Sequence, residues 1–210
     1  MNTSLYETGV FVNVPFDQEY AGLFNAIVFS VVDCGFTPRC ALEESNSAEV
    51  RIEKLYKIIS ECRYGVHDIS RTELDAVNGL PRFNMPLELG IFLGARQFGQ
   101  DQQKTKVALV MDREKYRYQK FCSDIAGQDV SSHSGKEHKA VKVVRDWLRA
   151  TPTARARKGL RLPSGAKVYE RYQLFSADLP LLCAELDLDP NELIYNDFTT
   201  MVSTWVRENK

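Results

Sequence analysis

The sequence is poor in histidine, with three in 210 residues, and its five cysteines include no Cys-x-x-Cys pair. His133 and His138 stand five apart, one position off the i,i+4 face of a helix, so the spacing describes no metal site. An odd set of cysteines (Cys34, Cys40, Cys62, Cys122, Cys183) argues against a disulfide framework and for a reducing, cytoplasmic setting. No apolar run approaches the ~20 residues of a membrane span. Met1 to Gly9 lack the basic and apolar regions of a signal peptide, so no membrane partner is expected. There is no Gly-x-Gly-x-x-Gly after the first strand, no Gly-x-x-x-x-Gly-Lys-Ser/Thr and no Gly-x-Ser-x-Gly. Those absences argue against a Rossmann dinucleotide site, a P-loop NTPase and a hydrolase nucleophile elbow. No helix-turn-helix, zinc-finger or RNP signature is present either.

What is present suits a globular domain: 44% hydrophobic residues can form a core, and 26% charged residues is ordinary. The net charge of −1 conceals an asymmetry, because residues 131–171 hold eleven Lys/Arg against three acids. The plain reading is a solvated helix face and a basic connector packed on an acidic surface. The alternative is a phosphate or nucleic-acid contact through residues 131–171.

Val10 to Val14 reads as a first strand, Phe36 to Cys40 as a second, Tyr64 to Ile69 as a third and Val107 to Met111 as a fourth. Between them, helical spacing predicts helices over about Glu19 to Cys34, Ala48 to Glu61 and Pro86 to Phe98. The last of these is apolar almost all round and should be well buried, with Gly90 and Gly94 admitting a close neighbour. A polar loop runs from Glu43 to Ser47, and a long one from Ser70 to Asn84. This alternation predicts an α/β fold, a flavodoxin-like doubly wound parallel sheet of order 2-1-3-4, over residues 1–130. Residues 131–210 read as a C-terminal helical extension with a basic connector from Thr151 to Gly165. Its helices are expected over about Lys136 to Arg149, Lys167 to Leu186 and Asn191 to Val206, after one over Arg113 to Ala126. No fifth strand is evident.

In such a sheet, ligands bind beyond the carboxyl ends of the strands where strand order reverses. That edge would gather Asn13, Pro15, Phe16, Asp68, Arg71, Asn84 and Glu88, which are far apart in sequence. Glu88 carries the strongest signal: a carboxylate in the expected first turn of an apolar helix. A helix N-terminus would keep it ionised, which suits a nucleophile or the stabilisation of an oxocarbenium-like sugar. The plain alternative is a favourable contact with the helix dipole. Asp68 can accept from a ribose hydroxyl or orient a water, or it caps a loop. Arg71 can pair with a phosphate or with Glu88, or it is a surface arginine beside Glu73 or Asp75. Asn84 reads as the N-cap of the Glu88 helix. Phe16 either stacks on a base or belongs to the core.

Three segments together resemble the nucleoside 2-deoxyribosyltransferase-like superfamily and its TIR-like relatives. They are Val10-Phe11-Val12-Asn13-Val14-Pro15-Phe16, Glu61 to Ser70 with Cys62 and Asp68, and Asn84-Met85-Pro86-Leu87-Glu88-Leu89-Gly90. The resemblance covers about residues 8–112. It implies cleavage or transfer of an N-glycosidic bond in a nucleoside, a nucleotide or NAD, without a cofactor. Glu88 would be the catalytic carboxylate, with Asp68 and Asn84 on the substrate. The 69–84 loop departs from the family pattern, since Asp75 and Glu73 are its only acids. Small bacterial proteins of this kind serve as antiviral defence effectors, and the tail would then bind a protein partner or build a homo-oligomer. The alternative is a non-catalytic module that senses a nucleotide or binds a partner through the same crevice.

Overall fold

In the computed structural model, which describes residues 5–43, 48–74, 79–157, 159 and 161–209, a single turn α1 (Leu5–Thr8) leads into β1 (Gly9–Asn13). Then follow α2 (Ala21–Asp33), β2 (Thr37–Arg39), α3 (Arg51–Ser60), β3 (Tyr64–Asp68), α4 (Asn84–Phe98) and β4 (Val107–Asp112). The chain closes with β5 (Ser131–Ser132), α5 (Glu137–Ala150), α6 (Pro152–Ala156), α7 (Gly165–Glu185) and α8 (Tyr195–Glu208). Most of the expected Glu43–Ser47 loop, with Asp75, Asn78 and Lys158, lies outside the described residues.

The sheet is parallel with order β2-β1-β3-β4-β5, a flavodoxin-like α/β fold. β1 and β3 are buried along their whole length, as strands covered on both faces must be. Their side chains sort by alternation. Val10, Val12, Val14, Tyr64 and Val66 face a core shared with α2, α5, α7 and α8. Phe11 faces the opposite side, against Leu55, Ile58, Ile59 and Phe92 of α3 and α4. Lys106 is buried on that side, and its ammonium donates to the carbonyls of Ile59 (2.5 Å) and Cys62. It thereby caps the carboxyl end of α3, where cations are favoured.

Four expectations change. A fifth strand exists, two residues long, with no apolar residue to announce it; Met111 pairs with Ser131 and Asp112 with Ser132. The division expected at residue 130/131 therefore falls just before a strand of the sheet. α5 completes the fold by packing on α2, and α7 and α8 add an outer layer to the same core. Phe29 of α2 is stacked with Phe175 of α7 at 5.5 Å and tilted against Trp205 of α8 at 5.8 Å. The expected helix over Arg113 to Ala126 is instead two short 3-10 turns, Arg117–Lys120 and Ser123–Ile125. Tyr116 has φ +63°, outside the right-handed helix, and Arg117 is drawn back onto Asp112, Thr72 and the Ser70 carbonyl. Tertiary hydrogen bonds thus override helical spacing. The basic connector contains α6, started by Thr151, whose hydroxyl accepts from Ala154 N–H, and by Pro152 at the first position.

The fourth change concerns α4. It is buried on one stripe only, Met85, Glu88, Leu89 and Phe92, an i, i+3, i+4, i+7 pattern. Leu87 and Phe98 are exposed, and among the described residues none packs over Gly90 or Gly94. Burying Leu89 and Phe92 contributes about 1.5–3 kcal/mol each. That anchorage holds Glu88, on the same stripe, against the fold.

Candidate functional site

The carboxyl end of β1, the loop after β3 and the starts of α3 and α4 meet in a cleft of about 110 Å³. Asn13, Pro15, Phe16, Arg71, Asn84 and Glu88, widely separated in sequence, all line it. Arg51 and Arg82 line it too, and sequence reasoning missed both. Arg51 opens α3, and the loop from β2 ends on the same edge as that from β1, so the strand-end rule would have reached it.

Glu88 is the fifth residue of α4 and belongs to its second turn. It is 6% exposed, and among the described residues none donates a hydrogen bond to its carboxylate. Burial pushes its carboxyl up to about 7, opposed only by the nearby charge of Arg51. The expectation of a carboxylate held ionised by the helix N-terminus is therefore corrected. The dipole effect fades within the first turn, while desolvation acts in full.

Asn84 is not the cap. The helix starts at Asn84, two residues before the expected Pro86, and Phe83 occupies the cap position without a side-chain bond. Asn84 still lines the cleft. Asn13 is buried, and its amide donates to the Met85 carbonyl (2.9 Å) and to Nδ1 of His67 (3.0 Å). One side chain thus pins the start of α4 to the end of β1. His67 then carries its proton on Nε2, which is buried and has no hydrogen-bond partner among the described residues. Burial, with the charge of Lys106, lowers His67 to about 3. Phe16 is not a core residue: it is 40% exposed and meets Phe24 edge-on at 5.5 Å. Arg71 pairs with Asp17 (3.3 Å) and Glu19 (2.9 Å) rather than with Glu88.

Asp68 does not line the cleft. It is fully buried and accepts from Ser70 N–H (2.8 Å) and from the Tyr20 hydroxyl. His133 Nε2 stands 2.9 Å from the oxygen that Tyr20 holds. Nδ1 of His133 accepts from Gly135 N–H (3.1 Å), which leaves the proton on Nε2, although that N–H is not aligned on the carboxylate. Burial works against ionisation of Asp68, but His133, Tyr20 and Ser70 outweigh it and hold the carboxyl below its usual range. Asp68 therefore ties together the loops after β1, β3 and β5. The sequence placed His133 only beside His138, and its position against Asp68 was hidden because the strand before it has no apolar pattern.

Two further hollows adjoin the cleft. One of about 320 Å³ shares Asp17 and Arg71 with it and reaches Tyr20, Arg113 and His133. The other, of about 270 Å³, shares Phe16 and Asp17 and reaches α7 and α8.

No protein-family model, curated protein or solved structure matches this chain.

Part of the basic stretch 131–171 finds partners within the fold. Arg145 donates to the carbonyl of Leu162 (2.7 Å), Arg157 to that of Gly35 (2.8 Å), and Arg171 pairs with Asp33 (2.9 Å). Among the described residues, no cluster of three His, Cys, Asp or Glu could hold a metal ion, and no helix is long and apolar enough to cross a membrane.

Proposed function

We propose that this protein cleaves or transfers the N-glycosidic bond of a nucleoside, a nucleotide or NAD, with Glu88 as the catalytic carboxylate. The observation that carries the reading is Glu88 itself: a buried carboxyl that accepts no hydrogen bond from the described residues, in the wall of a cleft at the switch point of a parallel sheet. A buried acid without a partner is costly, and such costs gather where a site needs them. As the C1′–N bond breaks, its electron pair leaves with the base and positive charge grows on the sugar. An ionised Glu88 a few ångströms away would stabilise that charge or bond to C1′. Water or a second base then takes the place of the first. The resemblance of the segments around Asn13, Asp68 and Glu88 to nucleoside 2-deoxyribosyltransferase-like and TIR-like proteins suggests the same chemistry.

Arg51, Arg71 and Arg82 in the cleft wall favour a phosphorylated substrate, a nucleotide or NAD, over a free nucleoside. Asp68 is a positioning residue in this reading, since it reaches the cleft only through the loops it holds. A cytoplasmic role in antiviral defence, with a second copy or another protein as partner, is the setting the resemblance suggests.

The test is chromatography of purified protein incubated with NAD and a panel of nucleosides and nucleotides, alongside Glu88→Gln. Free base released by the wild type and not by the variant is the expected result. Saturable binding without any product would move the protein to the nucleotide-sensing class.

A further inference from the structure

At about 110 Å³, the Glu88 cleft is smaller than the roughly 300–1,000 Å³ of ordinary ligand pockets. It has room for a sugar but not for a whole nucleotide. The neighbouring chamber of about 270 Å³ brings the joint space into that range, and Phe16 and Asp17 stand in the walls of both. The chamber's far wall belongs to the outer helical layer: Leu179 of α7, Leu193 of the turn before α8, and Tyr195 and Phe198 of α8 itself. Its near wall is α2, where Phe24 lies edge-on to Phe16 (5.5 Å) and tilted against Tyr195 (6.1 Å). The two spaces differ in charge. Three arginines line the cleft, and among the described residues no basic one lines the chamber, where the polar groups are Asp17 and the amides of Gln18, Asn25 and Asn191, the hydroxyl of Tyr195 being buried.

We propose that the chamber between α2 and the α7–α8 turn is the subsite for the heteroaromatic base of the substrate, so that the C-terminal helices choose which base is cleaved. This rests on the glycosidic reading of Glu88. The sorting of groups fits a nucleotide laid across the shared wall at Phe16. Its phosphate would lie toward the arginines, its sugar at Glu88, and its base among the aromatic rings, which stack on any base face. The amides offer donors and acceptors to the base edge, the kind of contact that separates one base from another. The outer helices, which add nothing to the sheet, would then contribute specificity.

The experiment uses three variants of the full chain: Glu88→Gln, Leu193→Trp and Leu179→Trp. The last two fill the chamber from partly exposed positions, and thermal melts establish that at least one is folded. Binding of free adenine, guanine, cytosine, uracil and nicotinamide, and separately of ribose 5-phosphate, is followed by ligand-observed NMR and calorimetry. The expected result is at least one base that binds the wild type and Glu88→Gln alike. A chamber-filling variant should weaken it by tenfold or more, with ribose 5-phosphate binding unchanged. No base binding to the wild type, or base binding indifferent to both tryptophans, overturns the proposal. The two readings fail separately. Base binding that responds to Leu193→Trp with no nucleotide cleaved leaves the chamber standing and removes the glycosidic reading. Glu88-dependent cleavage whose KM and base preference ignore both tryptophans removes the chamber alone.

Discussion

Glu88→Gln should make the protein more stable at pH 8 and change little at pH 4.5. The ordinary value for a glutamate, taken for the unfolded chain, is 4.5, whereas burial raises Glu88 in the fold to about 7. Between those values the unfolded chain releases a proton that the folded chain keeps. Folding stability therefore falls as pH rises across the window and levels off above about 7. The gap of roughly 2.5 units at 1.36 kcal/mol per unit sets the penalty at about 3 kcal/mol. Glu88 is 6% exposed, so solvent screens little of it. Glutamine keeps the shape and removes the charge, and in a protein of this size the gain converts to about 6–12 °C in Tm. The assay is thermal or urea unfolding of both proteins from pH 4.5 to 8.5, read as the difference between them so that other titrating groups cancel. A difference that stays constant with pH, or a variant less stable at pH 8, would refute the account of Glu88 as a buried acid without compensation.

Arg51→Ala removes the one charge that opposes the rise at Glu88, so the Glu88 carboxyl, followed by carbon-13 NMR, should titrate above its wild-type position. Asn13→Ala removes the donor to buried His67 Nδ1 and the tie between the end of β1 and the Met85 carbonyl, and should cost about 1–3 kcal/mol in urea unfolding. Asp68→Asn should destabilise with the opposite pH signature to Glu88. Its folded carboxyl is held low, so its contribution is present above the unfolded value near 3.9 and is lost as pH falls through the folded one. The deficit of Asp68→Asn should therefore shrink in acid.

The parallel α/β alternation was legible because short strand-like runs alternate with helical spacing, whereas the order 2-1-3-4 was taken from the flavodoxin-like pattern, and the structure has it. The meeting of Asn13, Phe16, Arg71, Asn84 and Glu88 followed from that order alone, since all lie at one edge of the sheet. β5 was not legible: Ser131 and Ser132 form a strand only because Met111 and Asp112 offer an edge to pair with. The 3-10 turns after β4 were hidden because Tyr118, Phe121, Cys122 and Ile125 have helical spacing, and the hydrogen bonds of Arg117 that break the helix come from residues forty or more positions away. The inward orientation of Glu88 was there to be read: it shares the stripe of Met85, Leu89 and Phe92. The exposed Leu87 and half-buried Ile91 and Leu93 make α4 look apolar all round, which concealed that stripe and with it the rise in the Glu88 carboxyl. The role of Asp68 as a fastening between loops depends on Tyr20 and His133, which no local pattern links.

The central claim is that Glu88 acts on a glycosidic bond, and initial rates of base release from nucleotides and NAD between pH 5.5 and 8.5 test it most directly. Ionised Glu88 predicts a rate that rises through about pH 7, with Glu88→Gln lower by at least a hundredfold at the plateau. Base release by Glu88→Gln at the wild-type rate would contradict the claim.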